Sequence, residues 1–416
     1  MSIIKPFKGI RPEKSNASNI ASLPYDVLNS NEARILAQNN PMSFLHVVKP
    51  EIDLPKETDI YADEVYLKGK ENFNHLLEKG LLFKDTTDSL YIYRQIMPVN
   101  GKNHIQTGLV AGASTIEYEN SLIKKHEFTR VVKERDRTRH IDTLNVSTGP
   151  VFLTYKASDK INSLIKTLTQ NTPEYDFTSA DGISHIFWVV KDSSDITLLC
   201  EAFKEVPCMY IADGHHRSAS ACTVSKMRRE ANPDNKGDEP YNYFLSVMFP
   251  HDELMILDYN RVVKDLNNHT PEELIEKIKE KFTVEHTDSP KPDQKHTFGM
   301  FLDNKWYRLT AKEGTFDDSD PVKQLDVSIL QENLLAPLLG IGDPRTDERI
   351  DFIGGIRGMA ELEKRVNEDC KVAFSMFATP IEQLMAIADA DKVMPPKSTW
   401  FEPKLRSGLI SKSFSE

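Results

Sequence analysis

The chain has 416 residues, 39% of them hydrophobic, which is long and apolar enough for two or three domains with buried cores and excludes general disorder. Its 52 basic and 63 acidic residues give a formal charge of −11, which disfavours broad attraction to nucleic acid or an anionic membrane but not a local basic pocket. The sequence begins without the apolar stretch of a signal peptide, and no run of about 18 uncharged apolar residues predicts a membrane span. We expect a soluble, cytoplasmic protein without membrane partners; homo-oligomer formation stays open.

Hydrophobic periodicity and turn residues predict alternating hairpins and helices. In chain order, the first elements are a helix over 60–79 that stops at Gly80, a hairpin of 90–97 and 105–113 around Asn100-Gly101, and a hairpin of 175–177 and 185–190 around Asp181-Gly182. They are followed by a strand over 207–212, a helix over 218–227, a polar loop over 228–239, a helix from the capping box Thr270–Glu273 to Lys281, and a hairpin of 297–302 and 306–309 around Asp303-Asn304. Antiparallel pairing therefore dominates, and the predicted fold class is α+β with mixed, mainly antiparallel sheets.

The chain contains no internal repeat and no Gly/Ser-rich linker that would mark a domain boundary. The pattern of strands and helices begins again after the helix near residues 271–281. We therefore predict one lobe over residues 1–260 and a carboxyl-terminal α+β lobe over residues 261–416.

Chemically active residue types are concentrated in Asp213-Gly214-His215-His216-Arg217, between the predicted strand over 207–212 and the helix that follows it. A helix start offers unpaired backbone N–H groups and the positive end of a dipole, and a glycine lets the backbone approach a ligand closely. Arg217 adds a planar fork suited to phosphate oxygens. The stretch therefore predicts an anion site; the alternative is that Asp213 only caps the helix.

The histidine pair at 215–216 also suggests a metal site, but neighbouring side chains diverge, and no His-x-x-x-His or Cys/His spacing completes a tetrahedral ligand set. Structural zinc is therefore disfavoured. A magnesium ion held by the Asp213 carboxylate and by nucleotide phosphates needs few protein ligands, and we expect one.

Two further segments carry candidate catalytic groups. Pro24 ends a short apolar stretch, so Tyr25 and Asp26 are expected on a fixed loop, although Asp26 is equally suited to cap the helix that starts at residue 30 or 31. The polar stretch 124–140 contains Glu127 and Arg137 among other acids, bases and histidines, and a solvated face is the usual explanation for such a run.

Near the carboxyl end, the stretch 394–408 mixes prolines, aromatic residues and cations without helical periodicity. Such an extended segment can close over the anion site and bring Lys397 or Lys404 to phosphate. A pinned terminal strand is an equal alternative.

The whole set of motifs resembles the microbial DUF1015 family, a family of unknown function. The resemblance spans nearly the whole chain and is carried by Pro6-Phe-Lys-Gly-Ile-Arg11-Pro, Pro24-Tyr-Asp26-Val, His126-Glu127-Phe-Thr129, Asp136-Arg137, Ile211-Ala-Asp-Gly-His-His-Arg217, Asp351-Phe-Ile-Gly-Gly355 and Met394-Pro-Pro-Lys-Ser-Thr-Trp-Phe. The Asp-Gly-His-His-Arg turn also resembles the nucleotide-binding turn of the ParB and sulfiredoxin-like superfamily, and in particular that of free-serine kinases. This resemblance implies a ParB/sulfiredoxin-like nucleotide-binding core.

By that resemblance, the leading hypothesis is a kinase that transfers phosphate from ATP or ADP, with Mg²⁺, to a small hydroxylated metabolite such as free L-serine. This hypothesis assigns phosphate contacts to Gly214, His215, Arg217, Lys397 and Lys404, and charge neutralisation to His215 or His216. It assigns the general base to Asp26 or Glu127, a metal or water contact to Asp213, and substrate contacts to Tyr25 and Arg137.

Two other hypotheses compete with the kinase. A ParB-like regulator would bind nucleotide or nucleic acid with the same turn and without metabolic catalysis, although the acidic net charge makes nucleic acid an unfavoured partner. Sulfiredoxin-like chemistry would need a reactive thiol, for which Cys208 and Cys222 are the nearest candidates in sequence. The four cysteines form no Cys-x-x-Cys pair and no disulfide framework, which indicates a reducing compartment. The favoured interpretation of Cys208 and Cys222 is that they are small, buried hydrophobic residues.

Overall fold

The computed structural model describes residues 2–99 and 101–415. The chain forms two units, one comprising Met1–Leu254 together with Pro403–Glu416 and the other comprising Met255–Glu402. The sequence-based division at residue 261 assigned the carboxyl-terminal segment to the second lobe. In the structure this segment belongs to the first unit, because Ser411–Ser413 is a strand that pairs with strands from the first half of the chain. Within the described residues, no helix combines the length and the apolar character needed to cross a bilayer.

The strands, in chain order, are β1 (Ile4–Lys5), β2 (Gly9–Pro12), β3 (Leu82–Lys84), β4 (Leu90–Val99), β5 (Lys102–Ser114), β6 (Ile123–Lys124), β7 (Val146–Ser147), β8 (Val151–Tyr155), β9 (Tyr175–Thr178), β10 (Ser184–Val190), β11 (Met209–Asp213), β12 (Tyr243–Pro250), β13 (Met255–Leu257), β14 (Tyr259–Val263), β15 (Phe282–His286), β16 (Thr297–Leu302), β17 (Lys305–Ala311), β18 (Ile350–Gly354), β19 (Val372–Ser375), β20 (Trp400–Glu402) and β21 (Ser411–Ser413). The α-helices are α1 (Ala17–Ile20), α2 (Ser30–Ala37), α3 (Leu45–Val48), α4 (Asp63–Glu78), α5 (Thr115–Glu119), α6 (Val131–Leu144), α7 (Asp159–Leu168), α8 (Ser193–Lys204), α9 (His215–Ala231), α10 (Pro271–Ile278), α11 (Asp326–Leu330), α12 (Gly358–Glu368) and α13 (Ile381–Asp389). Short 3₁₀ helices cover Lys14–Asn16, Pro50–Asp53, Pro240–Asn242, His251–Glu253 and Gly355–Arg357, and a π-helix covers Gln331–Leu335.

The first unit is built on a nine-stranded sheet in the order β6-β11-β8-β12-β5-β4-β10-β9, with β1 also paired to β5. The pairs β6–β11 and β8–β12 are parallel, and the other pairs of this sheet are antiparallel. A second sheet of this unit has the order β3-β2-β21-β7. The predicted α+β class with mainly antiparallel sheets is confirmed.

The second unit contains a six-stranded sheet in the order β15-β17-β16-β19-β14-β18, and all of these pairs are antiparallel. The strands β13 and β20 form a separate antiparallel pair. Val262, Ile353 and Leu362 belong to a buried apolar cluster that packs α12 onto this sheet.

Turn chemistry located the hairpins correctly. The strands β4 and β5 pair from Val99 and Lys102 outward, and Asn100 of the predicted Asn-Gly turn lies outside the described residues. The hairpins β9–β10 and β16–β17 are also confirmed. In the last of these, Asp303 and Asn304 both have positive φ, as the short turn requires.

The predicted helix ends agree with local capping rules. Helix α4 ends at Glu78, and Gly80 follows it in the left-handed region. The Thr270–Glu273 capping box opens α10, which ends at Ile278 rather than at the predicted Lys281. In the first unit, Ile211 of β11 and Val224 of α9 are fully buried in one apolar cluster, which fixes this strand-to-helix connection from both sides.

Candidate functional site

The Asp213–Arg217 stretch forms the strand-to-helix turn that its sequence predicts. Asp213 ends β11, and Gly214 adopts φ +95° at the N-cap position of α9. A Cβ atom at residue 214 would lie 3.0 Å from Nε of Arg217, so the turn requires glycine both for its backbone conformation and for this close contact. Asp213 is not the helix cap, because Gly214 is the N-cap residue and no side chain caps α9. The Oδ1 of Asp213 instead accepts the N–H of Gly214 at 2.9 Å.

Arg217 lies under the turn and is nearly inaccessible to solvent. Its Nη1 donates to the carbonyl of Pro150, and its Nη2 lies 3.5 Å from Oδ2 of both Asp26 and Asp213. Among the described residues, its Nε has no hydrogen-bond partner. The guanidinium therefore holds two carboxylates from distant parts of the chain beside the start of α9.

Asp213 is held between two cations. Its Oδ2 lies 3.5 Å from Nζ of Lys404 as well as from Arg217. Burial by itself raises the pKa of the Asp213 carboxyl, but the charges of Lys404 and Arg217 outweigh burial and hold that pKa well below its usual range. Asp213 is consequently ionised at neutral pH.

Two long-range contacts bring Lys404 and Asp26 to the turn. Ser22 and Ser407 exchange backbone hydrogen bonds of 3.0 Å, which ties the amino-terminal loop to the carboxyl-terminal segment. The side chain of Gln95 also donates to the carbonyl of Lys404 at 2.9 Å. Lys404 and Asp26 therefore both reach the turn at residues 213–217 through long-range pairing, which the local sequence does not reveal.

Asp26 belongs to this charged cluster and not to a helix cap. The cap of α2 is Asn29, whose side chain accepts the N–H groups of Asn31 and Glu32 in a capping box. The side chain of Asp26 is 34% exposed and lies beside the buried Arg217. The alternative interpretation of Asp26 as the cap is thereby excluded.

Tyr25 and Arg137 lie together, as expected for two groups assigned to one role. The Arg137 guanidinium lies 4.2 Å from the centre of the Tyr25 ring, and its Nε donates to Asp136 at 2.9 Å. Tyr66 donates a second hydrogen bond of 2.8 Å to Asp136. Burial raises the pKa of Tyr25 above its usual value, so the ring carries a neutral hydroxyl at neutral pH.

The polar stretch 124–140 is not simply a solvated face. Asp136 and His140 of α6 are buried, and His140 contacts the carbonyl of Val47 at 2.9 Å through its Nε2. Burial lowers the pKa of His140 to about 4. The side of α6 that carries these two residues therefore packs into the first unit.

His126 and Glu127 meet His215 at the same end of the sheet. One potential ligand atom from each of these residues lies within 4.8 Å of the others. Because β6 and β11 are parallel neighbours, residues that follow them emerge at one edge. His126 has no predicted role of its own, and no local signal in the sequence connects it with residue 215.

His216 contacts the segment that follows His126 and Glu127 in the chain. Its Nε2 accepts the backbone N–H of Arg130 at 3.0 Å. A ring nitrogen that accepts a hydrogen bond carries no proton. In this arrangement His216 therefore positions the start of α6, and its predicted part in neutralising charge has no support from this nitrogen.

The remaining predicted residues are Lys397 and the two cysteines. Lys397 belongs to the second unit, where its ammonium lies 5.6 Å from the centre of the Tyr259 ring and its carbonyl accepts a hydrogen bond from Arg261.

Cys222 is buried in α9, and burial raises the pKa of its thiol well above the usual value. Cys208 is paired with the hydroxyl of Tyr210 at 3.4 Å. The raised pKa of the Cys222 thiol argues against thiolate chemistry at that residue.

Comparison with known proteins identifies a family. Residues 4–328 match the family described as "Protein of unknown function (DUF1015)". No curated protein matches the chain. Among solved structures, a free serine kinase in complex with AMP is similar at 14% identity with a TM-score of 0.35, over 71% of this chain and 86% of that chain.

Two further solved structures show similarity of the same order. SbnI with C-terminal truncation from Staphylococcus aureus has 10% identity and a TM-score of 0.38, over 72% of this chain and 85% of that chain. A conserved hypothetical protein from Pyrococcus furiosus has 14% identity and a TM-score of 0.32, over 71% of this chain and 90% of that chain. Similarity at this level carries no argument about activity.

Proposed function

We propose that this chain, which belongs to the DUF1015 family of proteins of unknown function as its motifs predicted, is a nucleotide-dependent kinase acting on a small hydroxylated metabolite. The observation that carries the proposal is the convergence of Asp26, Asp213 and Lys404 around Arg217 at the first turn of α9. Phosphoryl transfer needs groups that bind phosphate and a group that accepts the hydroxyl proton, and a helix start, a cation and a carboxylate at one place can serve these purposes. This cluster supplies all three.

The first turn of α9 and Lys404 are suited to the phosphates of the nucleotide. The first backbone N–H groups of a helix have no partner within that helix, and the dipole favours an anion there. Gly214 keeps this approach open because it has no side chain over the turn. Lys404 adds a positive charge whose position is fixed by Asp213. Arg217 acts as a positioning residue, since its guanidinium is already committed to Asp26, Asp213 and Pro150.

Asp26 is the better supported of the two candidate bases. It is partly exposed beside the turn, so an acceptor can reach its carboxylate. Glu127 instead lies with His126 and His215. In the proposed step, the acceptor hydroxyl oxygen bonds to the terminal phosphorus while the bond from that phosphorus to the bridging oxygen breaks. The hydroxyl proton passes to Asp26, and the nucleotide leaves one phosphate shorter.

The residues around Asp213 do not fit a magnesium ion bound directly to that carboxylate. Its Oδ1 accepts from Gly214, and its Oδ2 faces the cations of Arg217 and Lys404. A divalent cation would have to displace one of these charges. The proposal therefore replaces the predicted metal contact of Asp213 with the role of holding Lys404, and no step passes through an ion at this residue.

Free L-serine is the acceptor that the sequence resemblance of the Asp-Gly-His-His-Arg turn suggests. The residues proposed to contact it are Tyr25, which precedes Asp26 in the chain, and Arg137, whose guanidinium lies against the Tyr25 ring. A neutral phenol and a guanidinium suit an amino acid carboxylate, because both donate hydrogen bonds to it. The identity of the phosphate donor, ATP or ADP, is part of the test.

The proposal is tested by phosphorus NMR of the purified protein with ATP or ADP, in the presence and absence of Mg²⁺, and with a panel of hydroxylated metabolites that includes L-serine. The decisive variant is Asp26→Asn, which keeps the shape of the side chain and removes the base. The matched control is Asp176→Asn, because Asp176 is an exposed carboxylate on β9.

We expect a new phosphomonoester signal with the unmodified protein and with the Asp176→Asn control. For Asp26→Asn we expect the rate to fall at least about 100-fold. Nucleotide affinity, measured by calorimetry, should change little in either variant. If nucleotide binds and no acceptor is phosphorylated, the kinase proposal is wrong and a nucleotide-binding regulator takes its place. Equal loss in both variants would remove Asp26 as the base.

A further inference from the structure

The group formed by His126, Glu127 and His215 has the composition of a transition-metal site. Two imidazoles and a carboxylate offer ligand atoms that lie within 4.8 Å of one another. Ligands bonded to one tetrahedral ion at about 2.0 to 2.2 Å are separated by about 3.4 Å. The ligand atoms of this group lie within 4.8 Å of one another, so they would draw closer together on binding one ion. No such group could be read from the sequence, because His126 and His215 are brought together by the pairing of β6 with β11.

Both histidines are buried, and each has a ring nitrogen without a protein partner among the described residues. These atoms are Nδ1 of His126 and Nε2 of His215. Buried polar atoms are nearly always hydrogen-bonded, so two unsatisfied nitrogens beside one carboxylate need an explanation. The rings pack edge to face with centroids 4.4 Å apart, and this packing leaves neither nitrogen with an acceptor or donor.

The second nitrogen of His126 fixes its tautomer. The ring is hydrogen-bonded to the backbone of Ile211, and because Nδ1 has no partner this bond uses Nε2. A backbone carbonyl that accepts from one ring nitrogen leaves the lone pair of the other available for a metal, which is the usual arrangement around metal-bound histidine.

We propose that His126, Glu127 and His215 bind one divalent transition-metal ion, with Zn²⁺ as the reference ion. Imidazole ligands favour zinc, cobalt and nickel over magnesium, which prefers oxygen ligands alone. Three protein ligands leave at least one coordination position for water or for a bound group, as in catalytic rather than structural zinc sites. The site begins at the first residue of α9 but involves none of the ion pairs of Arg217. His215 also belongs to the first turn of α9, which is proposed to face phosphate, but metal binding is measured here separately from kinase activity.

The test uses the untagged full-length protein after dialysis against a chelator, titrated with Zn²⁺ by calorimetry and with Co²⁺ by visible absorption. Metal content after gel filtration gives the stoichiometry. The variants are His126→Gln and Glu127→Gln, which keep polarity and approximate size. The matched control is His140→Gln, because His140 is equally buried but lies outside the group. Circular dichroism checks that each variant folds.

We expect one Zn²⁺ per chain and an absorption spectrum typical of Co²⁺ with a low coordination number. Zn²⁺ should bind at least about 100-fold more weakly to His126→Gln, while its affinity for the His140→Gln control should not change. A large excess of Mg²⁺ should not displace the ion. Thermal unfolding gives a second readout, since bound Zn²⁺ should raise the melting temperature of the unmodified protein and not of His126→Gln. Absence of Zn²⁺ binding, or binding that all three variants retain, would overturn the proposal. Because these readouts involve no nucleotide, their failure is distinct from failure of the kinase.

Discussion

The Nη2 atom of Arg217 lies 3.5 Å from Oδ2 of Asp26, although 191 positions separate the two residues. This ion pair joins the amino-terminal loop to the first turn of α9. Because Arg217 is buried and Asp26 is partly exposed, the arginine fixes the position of a carboxylate that solvent and small molecules can still reach. The contact explains how a turn far along the chain acquires its candidate base from the beginning of the chain.

Replacing Lys404 should weaken nucleotide binding more than it slows transfer. In Lys404→Met we expect KM for the nucleotide to rise about 10-fold or more, because one charge near the phosphates is lost, while kcat falls less. The measurement is steady-state kinetics with the acceptor identified by NMR, and Lys166→Met serves as the control because Lys166 is an exposed lysine of α7. An unchanged KM would remove Lys404 from the phosphate site.

Gly214 is expected to tolerate no side chain. Gly214→Ala places a Cβ in the left-handed region and 3.0 Å from Arg217, so we expect a loss of about 2 kcal/mol or more in the free energy of unfolding. The control is Gly182→Ala, since Gly182 has φ +80° with nothing near its missing Cβ. Chemical denaturation of both variants separates backbone strain from the Arg217 contact. Equal losses would show that the contact costs nothing.

Arg11 holds a buried charge network in the first unit. Its Nε and Nη1 donate to Asp85 and Glu174, each at 2.9 Å, and Tyr91 donates to Asp85 at 2.8 Å. Arg11→Met leaves Asp85 buried without its cation, and we expect a loss of about 3 to 5 kcal/mol in the free energy of unfolding. Urea denaturation measures the loss. The double variant Arg11→Met, Asp85→Asn should recover part of it, and no recovery would mean that lost packing dominates.

Glu117 should make stability depend on pH. Its Oε1 accepts the N–H of Ile3 at 2.9 Å, its Oε2 has no partner among the described residues, and burial raises its pKa from 4.5 to about 7. Since the folded state binds this proton more tightly than the unfolded state, Glu117 contributes stability below pH 4.5 that is lost as the pH rises through 7.

The Glu117→Gln variant isolates this effect because glutamine keeps the acceptor for Ile3 and does not ionise. We expect its stability, relative to the unmodified protein, to increase between pH 5 and pH 8. Thermal denaturation at a series of pH values measures the difference. A constant difference across this range would mean that Glu117 titrates normally.

The local features of this protein were readable from its sequence. Asn-Gly, Asp-Gly and Asp-Asn turns, with residues that accept positive φ, predicted the hairpins and hence the mainly antiparallel α+β fold. The turn at Gly214 was also predicted, because an apolar strand, a glycine and a helix follow one another within a few residues. Periodicity and turn conformation are properties of neighbouring residues, so a single sequence records them.

Tertiary structure alone decided which distant groups share the site. Asp26 lies beside Arg217 because Ser22 pairs with Ser407, and Asn29 occupies the cap position that Asp26 was also suited to fill. His126 meets His215 because β6 and β11 are parallel neighbours. Strand order depends on packing summed over the whole sheet, and no local pattern encodes it. The sequence therefore determined the turn at residues 213–217, and the fold determined the carboxylate, lysine and histidine that surround it.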